Sequence, residues 1–306
     1  LLKVEEAMPI IKRWNLHASN FKQNKTSHVA RIAEWEMASA RARAAGKDIP
    51  ARPRIPKDPA MRSSFPGSLY NGMIQPLIPF AIRGVIWYQG ESNVSRAHQY
   101  GAIFPAQIRD WREKWGLGDF PFLFVQVAPF RYSRYHREMC AELWEAQLNT
   151  LRSVSGTGMA VTTDIGDIRN IHPGNKQDVG KRLALWALHD AYGKKEVQPS
   201  GPLYIKHEIK GEQMILSFEH VGRGLASLNK KPLTHFTLAG KDRVFHMAEA
   251  FIRDNQIVVQ SRRVLKPAAT RFAWRDDAQP NFGNLNGLPA SPFRTDKWPG
   301  KTSNNR

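Results

Sequence analysis

The chain contains 306 residues with a formal net charge of +18 at pH 7, which is enough length for one large or two moderate domains with a substantial core. No apolar run approaches the roughly 18 residues of a membrane span, and the first residues do not resemble a signal peptide. The single cysteine, Cys140, excludes an internal disulfide framework and a cysteine-rich metal site. Basic residues are spread along the chain without a nucleic-acid-binding motif, so we expect no nucleic-acid partner.

The amino-terminal region, residues 1–60, combines a helical pattern with a proline-rich stretch. Apolar residues recur every three to four positions between Ile10 and Met37, and the alanine- and arginine-rich run that follows ends at Gly46. The prolines from Pro50 to Pro59 then exclude a regular helix or a central strand. We therefore predict a helical segment followed by a linker or insertion.

Residues 61–197 alternate between short apolar runs and helical spacing. The apolar runs have the composition of buried strands, and the segments after them carry apolar residues at helical spacing. This order predicts an α/β domain whose parallel sheet has helices on both faces. The predicted strands are Val85–Tyr88, Phe120–Ala128 and Met159–Thr163, and the predicted helices are Arg96–Trp115, Ala141–Leu151 and Gln177–Tyr192.

Residues 198–306 have a different pattern, with short alternating runs between glycine, asparagine and lysine or proline turns. This pattern predicts an antiparallel β-rich region. Within it, residues 281–306 are predicted to form a loop, and Lys301–Arg306 to be disordered. The predicted strands are Ile205–Ile209, Gln213–Phe218, Phe236–Leu238, Val244–Phe251, Gln256–Gln260 and Thr270–Trp274.

A polar cluster follows the first apolar run, which changes abruptly into Gln89-Gly90-Glu91-Ser92-Asn93. In open α/β sheets, ligands bind at the carboxyl ends of the strands. Gly90 lets the backbone approach a ligand closely, while Gln89, Glu91 and Asn93 supply hydrogen-bond donors and acceptors. We predict that this turn lines a catalytic pocket. The alternative is an ordinary polar turn after a strand.

A second polar cluster, Asp164–Pro173, follows the third apolar run and contains His172. The loop is therefore predicted to lie at the same edge of the sheet as Gln89–Asn93. A histidine with carboxylates a few residues upstream suits acyl transfer, because the imidazole takes the proton of a nucleophilic hydroxyl and a carboxylate orients the ring. Asp167 and Asp164 are the candidate carboxylates. Taken alone, a histidine in such a loop is more often a capping or surface residue.

The histidines are scattered and none has the paired spacing of a metal site. Glycine-rich phosphate-binding loops are absent from the sequence. We therefore expect a hydrolase without a metal ion or cofactor.

Three segments resemble the sialate O-acetylesterase family, a branch of the SGNH (GDSL-like) esterases. They are IRGVIWYQGESN at residues 82–93, FPAQIRDWREKWGLGDFPFLFVQVAPF at 104–130 and DIGDIRNIHPGNKQDVGKRLALWAL at 164–188. The similarity runs from Leu69 to PASPFRTDKWP near the end of the chain. It implies a three-layer α/β/α flavodoxin-like esterase domain with an appended antiparallel β-rich region.

The resemblance also implies an activity, the hydrolysis of O-acetyl esters on sialic acid or related sugars, with an acetylated sugar or sialoglycan as the partner. It assigns His172 as the general base, and Gln89, Gly90 and Glu91, with Asn93 beside them, to the oxyanion hole or substrate pocket. An oxyanion donor of this kind contributes about 3 to 4 kcal/mol of transition-state stabilisation. Because family members are commonly exported, the resemblance implies an extracytoplasmic location.

The sequence departs from the family pattern at two places. The GQSN-like segment with the nucleophilic serine is absent, and with the non-methionine start we expect that serine to lie upstream of residue 1. Ser92 is an alternative nucleophile, but it lacks a Gly-x-Ser-x-Gly elbow. Arg169 and Asn170 stand three and two residues before His172, where related enzymes carry the acid, so Asp167 is our first candidate and Asp164 the second.

Two other functions remain open from the sequence. An acetylxylan-type esterase acting on a polysaccharide would use the same chemistry, because the sugar is recognised by loops. A non-catalytic glycan-binding or structural protein would follow from loss of the nucleophile and of the acid at position 170.

Overall fold

The computed structural model describes residues 4–305. Contacts divide the chain into two compact units, one extending to Ala81 and the other spanning Ile82–Asn305. Within residues 4–305, no helix combines the length and the apolar character needed to cross a membrane.

The first unit is built around α1, Met8–Ala44, which confirms the helix expected from the spacing. Arg41 and Arg43 lie in its last turn, where positive charge interacts favourably with the helix dipole. The proline-rich stretch runs back along the helix, since the Trp35 indole donates a hydrogen bond of 2.7 Å to the Pro50 carbonyl. The other elements in the described part of this unit, from residue 4 onward, are short helical turns.

The second unit begins with a three-stranded parallel sheet in the order β1-β2-β3. The strands are β1 Val85–Trp87, β2 Phe122–Val125 and β3 Thr157–Ala160, and the helices are α2 Ala97–Trp115, α3 Met139–Ser153 and α4 Lys176–Trp186.

Alternate residues of β2 contact helices on opposite faces of this sheet. Phe124 meets Phe104 of α2 edge-to-face at 5.1 Å, whereas Leu123 belongs to an apolar cluster with Leu183 of α4. This alternation follows from the two-residue period of a strand. The helices on both faces, together with the antiparallel sheets described below, confirm the predicted fold class.

The prediction that β1 is a buried strand was wrong. Among the described residues β1 pairs only with β2, and the Ile86 side chain is 73% exposed. Trp87, the next residue, points to the other face and packs against Phe104 and Trp111. An apolar run does not reveal whether its strand is central or at an edge, and here it lies at an edge.

The β-rich region contains the strands β4 Leu203–Lys210, β5 Gln213–Glu219, β6 Leu225–Ser227, β7 Phe236–Ala239, β8 His246–Met247, β9 Glu249–Arg253, β10 Gln256–Gln260, β11 Ala269–Phe272, β12 Phe282–Asn284 and β13 Phe293–Arg294. They form two four-stranded sheets, β4-β5-β10-β9 and β13-β11-β7-β8, and the pair β12-β6. Five of the six predicted strands are present, whereas the predicted strand Val244–Phe251 is divided into β8 and β9, which belong to different sheets. Fully buried phenylalanines at 236, 272 and 282 form the centre of the core.

The carboxyl-terminal tail corrects a second prediction. Residues 281–306 were expected to be loop, yet they contain β12 and β13. The expected disorder of Lys301–Arg306 is also wrong for residues 301–305, because the buried Glu142 carboxylate accepts hydrogen bonds from the Lys301 and Thr302 backbone and from the Thr302 hydroxyl. Arg306 lies outside the described residues.

Candidate active site

The turn after β1, Gln89–Asn93, is held closely against α3. Gly90 has φ 152°, and a Cβ atom at this position would lie 3.0 Å from Val127 Cγ1 and 3.5 Å from Leu143 Cδ2. Both the positive φ and the close approach require glycine. The backbone of this turn is therefore fixed by packing before any ligand binds.

The polar groups of the turn are also fixed. The Gln89 side-chain amide donates a hydrogen bond of 2.8 Å to Asn93 Oδ1. Below the turn, the buried Gln147 accepts from the Val127 backbone at 3.1 Å and donates to the Val125 carbonyl at 3.1 Å. Gln89, Gly90 and Asn93 thus form one fixed turn, and its position depends on packing against α3.

Glu91 faces a group of protonated side chains. Burial is the main cause that raises the pKa of Tyr88 to about 12, and the negative charge of Glu91 is the second cause. Burial also raises the pKa values of Tyr132 and of the Cys140 thiol, with Glu91 as a further contributor. All three therefore stay neutral near pH 7, and Cys140, with 0% exposure, is not a reactive thiol.

The second loop, Asp164–Pro173, is shaped by its own side chains. The Asp167 carboxylate accepts a hydrogen bond of 2.9 Å from the Arg169 backbone, and the Asn170 side chain accepts one of 2.9 Å from the His172 backbone. Two successive side-chain caps of this kind define the turn that carries the exposed His172.

Asp164 has a different role from Asp167. Both of its oxygens accept hydrogen bonds of 2.6 Å from Arg182, which also donates to the Val161 carbonyl. Among the described residues, no hydrogen bond joins the His172 ring to either carboxylate. Asp164 is therefore engaged in a bidentate ion pair that anchors the loop to α4, while one Asp167 oxygen remains available.

One residue of α4, Lys176, contacts the segments that carry both polar clusters. The Lys176 ammonium lies 5.4 Å from the centre of the Tyr88 ring and donates a hydrogen bond of 2.5 Å to the Pro173 carbonyl. Tyr88 and Ile165 also pack against one apolar cluster between the sheet and α4. Lys176 thus bridges Tyr88, the residue before Gln89, and Pro173, the residue after His172.

A cavity of about 480 Å³ opens beside the His172 loop, and we call it the loop cavity. Its shape depends on a hydrogen bond of 3.1 Å from the Arg131 backbone to the Ile168 carbonyl. Sequence reasoning missed Arg131, Gln279 and the buried Tyr132, whose hydroxyl has no hydrogen-bond partner among the described residues. No local pattern marked them. The cavity is lined by Arg131, Gly166, Asp167, Ile168, Arg169 and Gln279.

Within residues 4–305, no group of three or more histidine, cysteine, aspartate or glutamate side chains is placed to hold a metal ion.

Comparisons with known proteins agree with this geometry. Residues 60–188 match the family "Carbohydrate esterase, sialic acid-specific acetylesterase". The human sialate O-acetylesterase is 29% identical over 84% of this chain and 54% of its own length. The rat sialate O-acetylesterase is 34% identical over 56% of this chain and 35% of its own length.

A solved structure is also similar. The crystal structure of a carbohydrate acetylesterase from Xanthomonas citri superimposes with a TM-score of 0.72 and 42% identity, covering 75% of this chain and 54% of that chain. The fold and these matches show that the chain is similar to carbohydrate esterases. It spans about half the length of the human relative and of the solved structure. The match of residues 60–188 to this family model and the similarity to the named sialate O-acetylesterases agree with the resemblance stated from the sequence.

Proposed function

We propose that the protein hydrolyses O-acetyl esters on sugars, with acetylated sialic acid as the substrate. The observation that carries the proposal is the contact of Lys176 with both segments: with Tyr88 beside Gln89 and with Pro173 beside His172. This contact supports a site where a proton acceptor and a row of donors face one ester. The relatives' names and the family match support the same chemistry.

The proposed mechanism is acyl transfer through a serine that lies upstream of Leu1. The serine oxygen attacks the acetyl carbonyl carbon while His172 takes its proton. The turn Gln89–Asn93 stabilises the oxyanion of the tetrahedral intermediate. When this intermediate collapses, the sugar oxygen leaves as a hydroxyl group with the proton from His172. Water, activated by His172, then attacks the acetyl-serine, and acetate leaves.

We assign the orienting acid to Asp167. Asp164 is paired with Arg182 through both oxygens, so its rotation towards His172 would break a partly buried ion pair. Asp167 needs to give up only one backbone hydrogen bond. In this assignment Asp167 fixes the tautomer of the His172 ring, and Asn170 orients only the backbone of His172.

The test uses the full-length protein and p-nitrophenyl acetate. His172→Ala is expected to lower kcat/KM about 10³-fold, which is within the usual contribution of a general base. His98→Ala, which alters an exposed histidine outside the His172 loop, is the matched control. Equal rates for His172→Ala and wild type would contradict the proposal.

An acetylxylan-type specificity is the second candidate. The printed name of the solved relative specifies only a carbohydrate, and the relatives named for sialate are less similar in sequence. Comparing kcat/KM on acetylated sialic acid and on acetylated xylan distinguishes the two substrates. A full-length protein without a serine in a GQSN-like segment and without esterase activity would instead be a non-catalytic glycan-binding protein.

We also propose an extracytoplasmic location, on the basis of the family resemblance alone. Cell fractionation of the full-length protein tests it, and recovery in the cytoplasmic fraction would contradict it.

A further inference from the structure

The β-rich region contains a cavity of about 470 Å³ that the proposed mechanism does not use, and we call it the β-side cavity. It lies where β7 begins and β11 ends, beside the start of α3. Its lining includes Glu138, Thr234, His235, Phe245, Arg271 and Arg275. Carboxylate, guanidinium, imidazole and hydroxyl groups therefore surround a single concave space.

The charges in this cavity are matched. Arg271, at the base, contacts Glu138 at 3.3 Å and Asp296 at 2.9 Å. Arg275, on the rim, contacts Asp277 at 3.3 Å. Because each guanidinium faces a carboxylate, the cavity offers fixed donors and acceptors without a strong field of one sign. Such a lining suits a neutral ligand with many hydroxyl groups better than an anion.

One wall of the cavity is apolar. Phe245 is half-buried, and the Arg271 guanidinium lies 4.3 Å from the centre of its ring. Met247, on the rim, is 72% exposed. A site that combines apolar surface with a few fixed polar groups is typical for small ligands. A sugar ring matches it, because it has apolar C–H faces and hydroxyl groups at its edge.

Two lining residues are held in an unfavourable backbone conformation. His235 has φ 66° and Ala273 has φ 51°, and the Ala273 backbone donates a hydrogen bond of 2.9 Å to the His235 carbonyl. Left-handed φ values are uncommon for residues other than glycine, and such conformations cluster at ligand sites. Here two of them lie side by side at one cavity.

The β-side cavity and the loop cavity share a wall. Asp277 lines the β-side cavity and forms an ion pair of 3.5 Å with Arg131, which lines the loop cavity. The segment that carries Arg131 is bonded on both sides, because Arg131 donates to the Ile168 carbonyl and Phe130 donates to the Asp276 carbonyl at 2.8 Å. The two cavities are therefore neighbours across a short, well-fixed segment.

We propose that the β-side cavity is a second sugar subsite, which binds a neutral sugar unit of the same glycan whose acetylated unit lies beside His172. The preferred substrate is then an acetylated oligosaccharide or glycan chain rather than a free acetylated monosaccharide. The assignment of the acetylated unit rests on the proposed function. The subsite itself rests on the lining, the matched charges and the shared wall.

The activity test compares two esters in the full-length protein: O-acetylated sialyllactose, which adds two neutral sugar units, and free O-acetylated sialic acid. The double variant Arg275→Ala/His235→Asn removes the guanidinium of residue 275 and the imidazole of residue 235. Asparagine is chosen because it tolerates the left-handed conformation at 235. We expect the double variant to lower the ratio of kcat/KM for O-acetylated sialyllactose to kcat/KM for free O-acetylated sialic acid about tenfold. The change should come from a higher KM for the oligosaccharide. Arg253→Ala, an exposed arginine of β9 outside the cavity, is the control and is expected to leave the ratio unchanged. A ratio that is unchanged in the double variant would overturn the subsite.

A binding test separates this inference from the esterase assignment. Saturation-transfer NMR with lactose, which has no ester, is expected to show binding to the wild-type protein and about a tenfold weaker affinity in the double variant. Lactose binding with no effect of His172→Ala on esterase activity would support the subsite and remove the proposed function. Absence of lactose binding, or binding that survives the double substitution, would overturn the subsite whatever the esterase assay shows.

Discussion

The two loops of the candidate site are stabilised in different ways. The turn Gln89–Asn93 is held by packing, because Gly90 lies against α3 and the buried Gln147 bonds the end of β2 beneath it. The loop Asp164–Pro173 is exposed and is held by its own side-chain caps and by the ion pair with Arg182. The two loops therefore differ in rigidity and in exposure to solvent. In the proposed mechanism, the rigid turn supplies the oxyanion donors and the exposed loop supplies the proton acceptor, His172.

The largest effect on stability is expected for Gly90→Ala. The added methyl group combines a strained φ with a contact of 3.0 Å to Val127, so we expect a loss of about 3 kcal/mol in the free energy of unfolding. Gly116→Ala is the control, because Gly116 has φ 64° but open space around its Cβ position. It should cost about 1 kcal/mol. Equal urea midpoints for both variants would show that the turn is not held by packing.

Arg182→Met tests the anchor of the second loop. It leaves the Asp164 carboxylate and the Val161 carbonyl without their donor, and we expect a loss of about 2 kcal/mol after allowance for the partial exposure of Asp164. Lys181→Met, which removes an exposed pair with Asp178, is the control and should change stability far less than Arg182→Met. Thermal unfolding measures both. A loss in Arg182→Met no larger than in Lys181→Met would contradict the anchoring role.

Glu142→Gln tests whether α3 also fixes the tail. One of the two acceptor oxygens becomes an NH2 group that faces the Lys301 or Thr302 donors, so we expect a loss of about 1 to 2 kcal/mol. Hydrogen exchange at Thr302 should accelerate more than exchange in β2. Exchange that stays slow at Thr302 would show that the carboxylate does not hold the tail.

The smallest effect is a dependence of stability on pH that comes from the β-rich region rather than from either loop. Burial lowers the pKa values of His207, His220 and His235. Because the unfolded chain binds these protons more readily, their contribution is complete above the unfolded pKa of about 6.5 and is lost as the pH falls below it. We therefore expect the midpoint temperature of thermal unfolding to decrease as the pH is lowered from 7 to 5.

His220→Asn is the matched variant for this pH effect, because asparagine tolerates the left-handed conformation of residue 220. It is expected to weaken the pH dependence between pH 7 and 5. An unchanged slope would exclude His220 as a source.

The sequence predicted the helices and most strands because their signals are local. The spacing of apolar residues marked α2, and the alternation after residue 198 marked β4, β5 and β10. The sequence also predicted that Gln89 and His172 follow parallel strands whose carboxyl ends share an edge, and this proximity stays a prediction.

The errors involve contacts that are distant in sequence. The tail is ordered by Glu142, about 160 positions away, so its glycine-rich composition was misleading. The exposure of Ile86 depends on which strands flank β1. Arg131 and Gln279 come together only because segments after β2 and β11 meet at the loop cavity. A pattern in a short stretch of sequence cannot reveal contacts between residues that are so far apart in the chain.

The most direct test of the central claim is a crystal structure of the full-length protein with an organophosphate covalently bound to its serine. The phosphoryl oxygen is expected to lie about 3 Å from donors of the Gln89–Asn93 turn, with His172 Nε2 about 3 Å from the serine oxygen. An adduct more than about 10 Å from either the turn or His172 would contradict the account, because a general base acts only within hydrogen-bond reach or through one water molecule.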